Sequence, residues 1–74
     1  MKQFSLVDYK PGDQLVTRTG NRVRLVCTDR KNTHCIVGLR ETREGEAVES
    51  WTAYGVYLFG SHDLDLYFKE HNDS

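Results

Sequence analysis

The chain alternates short runs of apolar and β-branched residues with turn-forming residues, a pattern typical of a β domain. The predicted strands cover residues 14–18, 22–29, 35–41, 46–52, 56–59 and 64–68. A single helical turn fits residues 5–9, ahead of the Pro11-Gly12 turn. The pattern predicts a mainly β fold, a small antiparallel meander or barrel of five to six short strands. It does not decide whether the C-terminal segment closes a barrel or lies across an open sheet.

The turns between these strands set the expected register. A two-residue turn at Gly20-Asn21 places Val16 opposite Leu25, and a loop centred on Lys31 extends the same face into the third strand. The expected core face then contains Val16, Val23, Leu25, Cys27, Cys35, Val37 and Leu39. In this register Cys27 and Cys35 are neighbours, and we interpret them as buried free thiols that pack as small apolar side chains.

The opposite face of the predicted sheet carries the candidate binding residues. These are Arg22, Arg24, Arg40 and Trp51. Arg22 and Arg40 face each other, Glu49 lies beside Arg40 to compensate the repulsion, and Trp51 lies across from Gly38. Guanidinium and indole groups stack on a base, on an aromatic ring or on a partner's side chain.

A second interpretation of this face gives Trp51 a structural role. Trp51 then closes the other side of the small barrel, and the aliphatic stem of Arg24 covers it. Small domains often need a tryptophan for core mass. The sequence leaves both interpretations open.

The length of 74 residues predicts one domain spanning residues 1–74. Within it we expect an ordered β core at residues 10–68 and a frayed tail at 69–74. The N-terminus lacks an apolar run of signal-peptide length, and no segment approaches the roughly 20 apolar residues of a membrane span. We therefore expect a cytoplasmic protein without a membrane partner.

The formal net charge of −1 argues against holding nucleic acid or membrane by bulk charge. The charge is unevenly distributed, however. Residues 18–43 carry seven basic side chains against two acidic ones, whereas residues 44–74 carry seven acidic side chains against one lysine. These blocks are typical of solvated faces that partly neutralise each other.

The sequence offers no constellation that points to catalysis, a metal or a cofactor. Cys27, His34 and Cys35 do not have zinc-site spacing, and His34 points away from Cys35 on a strand. Asp63 and Asp65 alternate with leucines, as on a strand, and no glycine motif could cradle a phosphate. We therefore interpret the protein as a non-enzyme without a cofactor.

Residues 11–16, followed by a hairpin and the run at 23–26, resemble the opening of Tudor-type and KOW-type small barrels. That resemblance implies binding of nucleic acid or peptide through aromatic and basic residues around the loops. Such barrels use an aromatic cage, and a complete cage is not visible in this sequence.

A closer resemblance covers residues 10–68. Its matching segments are Thr17–Gly20, Val23–Arg30, Ile36–Leu39, Gly55 and Leu64–Tyr67. They are similar to small proteins of phages and mobile elements in gut anaerobic bacteria. The chain departs from that group at Cys35, where proline is common, and at Tyr54, where Asp or Asn usually precedes the glycine. The resemblance implies a β architecture and a bacterial phage-like setting, and it implies no activity.

Three function classes follow from these observations. The leading hypothesis is a binding module whose partner is a protein. The alternative is a small barrel that binds nucleic acid, with an affinity that falls steeply with salt. The third is a structural protein that self-associates through exposed strand edges. The sequence fixes neither the oligomeric state nor the partner.

Overall fold

A computed structural model describes residues 2–58 and 62–69. Its strands are β1 (Lys2–Gln3), β2 (Leu15–Thr17), β3 (Arg22–Cys27), β4 (Ile36–Thr42), β5 (Gly45–Trp51) and β6 (Leu66–Phe68). They form one antiparallel sheet in the order β1-β6-β2-β3-β4-β5, with a 3-10 turn at Leu6–Asp8. The prediction of a mainly β fold is confirmed, and the sheet is open rather than closed into a barrel.

Five of the six strands lie within predicted runs or extend one residue beyond them, and the larger differences are at β1 and at residues 56–58. β1 was not predicted, because two residues give no periodic pattern. The predicted strand at 56–59 is wrong for residues 56–58, where the backbone is irregular, and Phe59 lies outside the described residues. Of the predicted frayed tail, only Lys69 is described, and its N–H donates to the Gln14 carbonyl at 2.9 Å.

The predicted register between β2 and β3 is wrong. Val16 lies opposite Arg22 instead of Leu25, and Leu15 lies opposite Val23. The connection is longer than a two-residue turn because the Thr17 N–H donates to the Asn21 carbonyl, at 2.8 Å. Leu15 therefore shares a face with Val23, and Val16, on the other face of β2, is also buried, as predicted, at 5% exposure.

The predicted register between β3 and β4 is wrong, by one residue at Leu25 and by two at Cys27. Leu25 lies opposite Gly38, and a bulge then places Cys27 opposite Val37 instead of Cys35. The loop is not centred on Lys31, since the Arg30 N–H donates to the Cys35 carbonyl at 3.2 Å. A slip of one residue exchanges the faces of a strand, so Val37 and the neighbouring Leu39 point away from the core.

The core lies on one face of the curved sheet. Its fully buried members are Phe4, Ile36, Trp51 and Leu66, joined by Leu15 and Val23. After β5 the chain crosses this face, where Leu66 N–H donates to the Gly55 carbonyl at 2.8 Å and Leu6 N–H to the Ala53 carbonyl at 2.9 Å. We call residues 52–58 the crossing segment, and it covers the core on the side away from the sheet.

A buried carboxylate fixes the crossing segment. Asp65 is 4% exposed, and its two oxygens accept the N–H groups of Tyr57 at 2.9 Å and His62 at 3.1 Å. The carboxylate thus accepts hydrogen bonds from two backbone N–H groups that have no partner in a neighbouring strand. Asp65 has a structural role, since it supplies the hydrogen-bond partner of a backbone group in the irregular segment at residues 56–58.

Candidate functional site

The sheet face opposite the core is the candidate site, and we call it the outer face. Its side chains come from alternate residues of β3, β4 and β5: Arg22, Arg24, Val37, Leu39, Glu41, Glu46, Val48 and Ser50. Arg24 pairs with Leu39, and Leu39 pairs with Val48, so these three side chains form a row across the strands. The row places two apolar side chains beside a guanidinium.

Arg24 is held in place by Glu46. Its Nε and Nη2 donate to the two carboxylate oxygens at 2.9 and 3.0 Å, a bidentate pair that reaches from β3 over β4 to β5. The hydrogen bond with Glu46 raises the pKa of Arg24 and, in turn, lowers the pKa of the Glu46 carboxyl. Both groups are exposed, so the pair orients the guanidinium more than it stabilises the fold.

Apolar side chains are exposed next to this pair. Val48 is 71% exposed and Val26, in the bulge of β3, is 62% exposed, while Leu39 and Val37 are half-buried. A shallow cleft of about 450 Å³ lies beside the row. Its charged walls include Arg22, Arg24, Glu41, Glu46 and Lys69. The outer face therefore combines an apolar centre with a charged rim.

The structure does not bring the four predicted binding residues together. Arg22 and Arg24 lie on the outer face, as period two predicts, but Arg40 and Trp51 are on the core side. Arg40 lies opposite Val23 rather than facing Arg22. The one-residue slip between β3 and β4 accounts for this separation.

Arg40 belongs to an ion pair at the rim of the core. Its Nη2 lies 2.9 Å from Glu49, and the two side chains are 21% and 11% exposed. Arg40 and Glu49 are therefore close to each other, as predicted. They are not directly opposite, because Glu49 pairs with Gly38 in the ladder and its side chain reaches Arg40 diagonally. The Tyr57 hydroxyl donates to the other Glu49 oxygen at 3.0 Å, and this hydrogen bond raises the pKa of Tyr57.

Trp51 is fully buried, as the structural interpretation of this residue requires. Its Nε1 donates to the Leu64 carbonyl at 2.6 Å. It lies opposite Ile36 rather than Gly38, so the predicted register between β4 and β5 is wrong by two residues. Its ring nevertheless reaches Gly38, where a Cβ atom would lie 3.2 Å from Cζ3. Arg24 does not cover it, because the guanidinium is on the other face of the sheet.

Sequence reasoning missed Leu39, Val48 and Glu46 as members of the site. The predicted register between β3 and β4 places Leu39 on the core face, whereas in the structure it lies opposite Arg24. Glu46 sits two strands from Arg24, and a pattern along a single strand carries no signal for such a pair. Val48 can be recognised as a residue of the site only when the strand order shows that β5 is an edge strand.

No family model, curated protein or solved structure matches the chain. In the part of the chain that the structure describes, no three His, Cys, Asp or Glu side chains are grouped as metal ligands. That part also contains no helix with the length and hydropathy needed to cross a bilayer.

The hydrogen bond between Tyr57 and Glu49 predicts a pH dependence at the alkaline end. Because the pKa of Tyr57 is raised in the folded state, its contribution to stability is present below pH ~10 and is lost as pH rises through the folded-state pKa. We expect the free energy of unfolding of wild type and Tyr57→Phe to converge as pH rises through this range. Urea titrations at several alkaline pH values measure this.

Tyr54→Phe is the control for that experiment, because Tyr54 is 72% exposed. Its difference from wild type should stay constant over the same pH range. A difference between wild type and Tyr57→Phe that is independent of pH would contradict the assigned hydrogen bond.

Proposed function

We propose that this protein is a small binding module that docks a partner protein on its outer face. The observation that carries the proposal is the row formed by Arg24, Leu39 and Val48, in which an oriented guanidinium lies beside exposed apolar side chains. Protein interfaces have this anatomy, with an apolar centre, a polar rim and arginine among the residues that dominate affinity.

The fixed position of Arg24 supports the same function. A free arginine side chain loses rotamer freedom when a partner binds, which costs about 0.5–1.5 kcal/mol for such a residue. In this protein the bidentate contact to Glu46 has already restricted the guanidinium. A partner that stacks on it or accepts its remaining N–H groups meets a preorganised surface.

The charges of the outer face favour a protein over a nucleic acid. Arg22 and Arg24 are balanced by Glu41 and Glu46 on the same face, and Arg24 is already neutralised. Binding to a phosphate backbone relies on an excess of positive charge that displaces counterions. The sequence resemblance supports a setting in a bacterium that carries a phage or mobile element, and the lack of a signal-peptide pattern supports the cytoplasm.

The test is capture from a bacterial lysate on immobilised protein, with and without nuclease, followed by affinity measurements on the captured partner. We expect nuclease-resistant capture of a protein. Arg24→Glu should weaken its binding at least about tenfold, because the oriented arginine beside the apolar centre is replaced and its charge reversed. The thermal midpoint of this variant should stay close to wild type.

Two variants control the measurement. Arg30→Glu makes the same charge reversal in the loop after β3 and should leave affinity unchanged. The double variant Arg24→Glu with Glu46→Arg preserves an ion pair but exchanges the two charges, so it should fold normally and still bind weakly. Full affinity of Arg24→Glu would refute the docking face, and nuclease-sensitive capture that weakens steeply with salt would establish the nucleic-acid alternative.

A further inference from the structure

The two edges of the sheet are protected to different degrees. β1, at one edge, has two residues and carries Lys2, a short and charged strand of the kind that discourages pairing with another chain. β5, at the other edge, has seven residues that pair regularly with β4 without a bulge. Among the described residues, no strand pairs with the outer side of β5.

The sequence of β5 lacks the usual devices that protect an edge. It contains neither proline nor lysine. Its two glutamates point into intramolecular contacts: Glu46 binds Arg24 on the outer face, and Glu49 binds Arg40 and Tyr57 on the core side. Neither carboxylate is left to repel an approaching strand, and no backbone group of the described residues bonds to the side of β5 that points away from β4.

We infer that β5 pairs with β5 of a second copy of this chain, antiparallel and centred on Val48, so that one sheet runs through both copies. Beyond Trp51 the chain turns, with Thr52 N–H donating to the Val56 carbonyl at 3.0 Å. Pairing is therefore confined to Glu46–Ser50. This association needs no other partner and does not rest on the proposed function.

The side chains of β5 fit this two-fold register. Centring on Val48 places Glu46 opposite Ser50 and Ala47 opposite Glu49, so no like charges lie directly opposite each other, an arrangement that would destabilise a sheet. Ala47 is small and leaves room for Glu49 with its bound Arg40. Centring the pair on Glu49 would instead place the Glu49 carboxylates of the two copies opposite each other, which disfavours that register.

Pairing of the two copies in this register also buries apolar surface that is exposed in one copy. Val48, which is 71% exposed, contacts Val48 of the second copy on the outer face. Because Leu39 lies next to Val48 in each copy, the four side chains form one apolar band across the joined sheet. The band connects the two outer faces into a single surface.

Sedimentation of the purified protein over a range of concentrations tests this inference. We expect the mass to rise with concentration towards twice that of one chain. Val48→Lys places two ammonium groups against each other at the two-fold axis and should weaken association by at least tenfold. Val7→Lys adds the same charge at a valine that is 90% exposed in the Leu6–Asp8 turn, outside the sheet, and should leave association unchanged.

Ser50→Glu tests the register, because it places a second carboxylate opposite Glu46 and should also weaken association. Thermal unfolding of each variant checks that the fold is retained. A constant monomer mass at all concentrations would overturn the inference. An association that withstands Val48→Lys but is lost in Val7→Lys would assign the contact to another surface and overturn it equally. Partner capture by a strictly monomeric protein would leave the proposed function intact.

Discussion

Trp51→Ala is expected to lower the free energy of unfolding by about 3–5 kcal/mol, the usual cost of truncating a large buried aromatic. The Trp51 side chain is fully buried against Phe4, Ile36 and Leu66, and it also satisfies the Leu64 carbonyl. A loss of this size is comparable to the total stability of a small domain. Most of the variant should therefore be unfolded at physiological temperature.

Urea denaturation followed by circular dichroism measures this effect. Trp51→Phe is expected to lie between the alanine variant and wild type, since it keeps an aromatic ring but leaves the Leu64 carbonyl without its donor. Tyr54→Ala removes an aromatic side chain that is 72% exposed and serves as the control, with stability near wild type. If Trp51→Ala cost less than about 1 kcal/mol, the assignment of this residue to the core would be wrong.

Gly55→Ala is expected to cost about 2–5 kcal/mol, combining backbone strain with overpacking. Gly55 has a φ of +79°, which L side chains rarely adopt. A Cβ atom there would lie 2.8 Å from the Leu66 carbonyl oxygen and 2.9 Å from Phe4 Cβ. Because Gly55 also accepts the Leu66 N–H, the crossing segment cannot move away without losing that bond.

Gly20→Ala separates the two contributions. Gly20 has a similar φ of +94°, but an added Cβ would meet nothing within 4 Å. Its substitution should therefore cost only the strain, roughly 1–3 kcal/mol. The difference between the two variants measures the crowding against Leu66 and Phe4. Equal losses of stability would show that this close contact does not constrain Gly55.

Strand positions were predictable because the alternation of apolar and polar residues is local. β3, β4 and β5 each lie within, or one residue beyond, their predicted runs. Register was not predictable, because it depends on details of the connections that composition does not encode. The longer Thr17–Asn21 turn and the bulge before Cys27 each changed which residues lie opposite one another.

The same distinction explains the outcome for the candidate site. Arg22 and Arg24 share a face because they are two residues apart in one strand, and no register is needed to know this. Arg40 and Trp51 were assigned to that face through two guessed registers. Leu39 and Val48 were missed for the same reason. The sequence was sufficient to assign residues of one strand to the same face. Assigning residues of different strands to one face required the turns to be known.

The position of β6 between β1 and β2 has a consequence for the order of folding. β3, β4 and β5 are joined by short connections, so their hairpins can form as soon as that part of the chain has been synthesised. β1, by contrast, is made first but has no partner until Leu66–Phe68 follows. Phe4 and Trp51, which pack in the same core, must therefore wait for the last strand before water is excluded from around them.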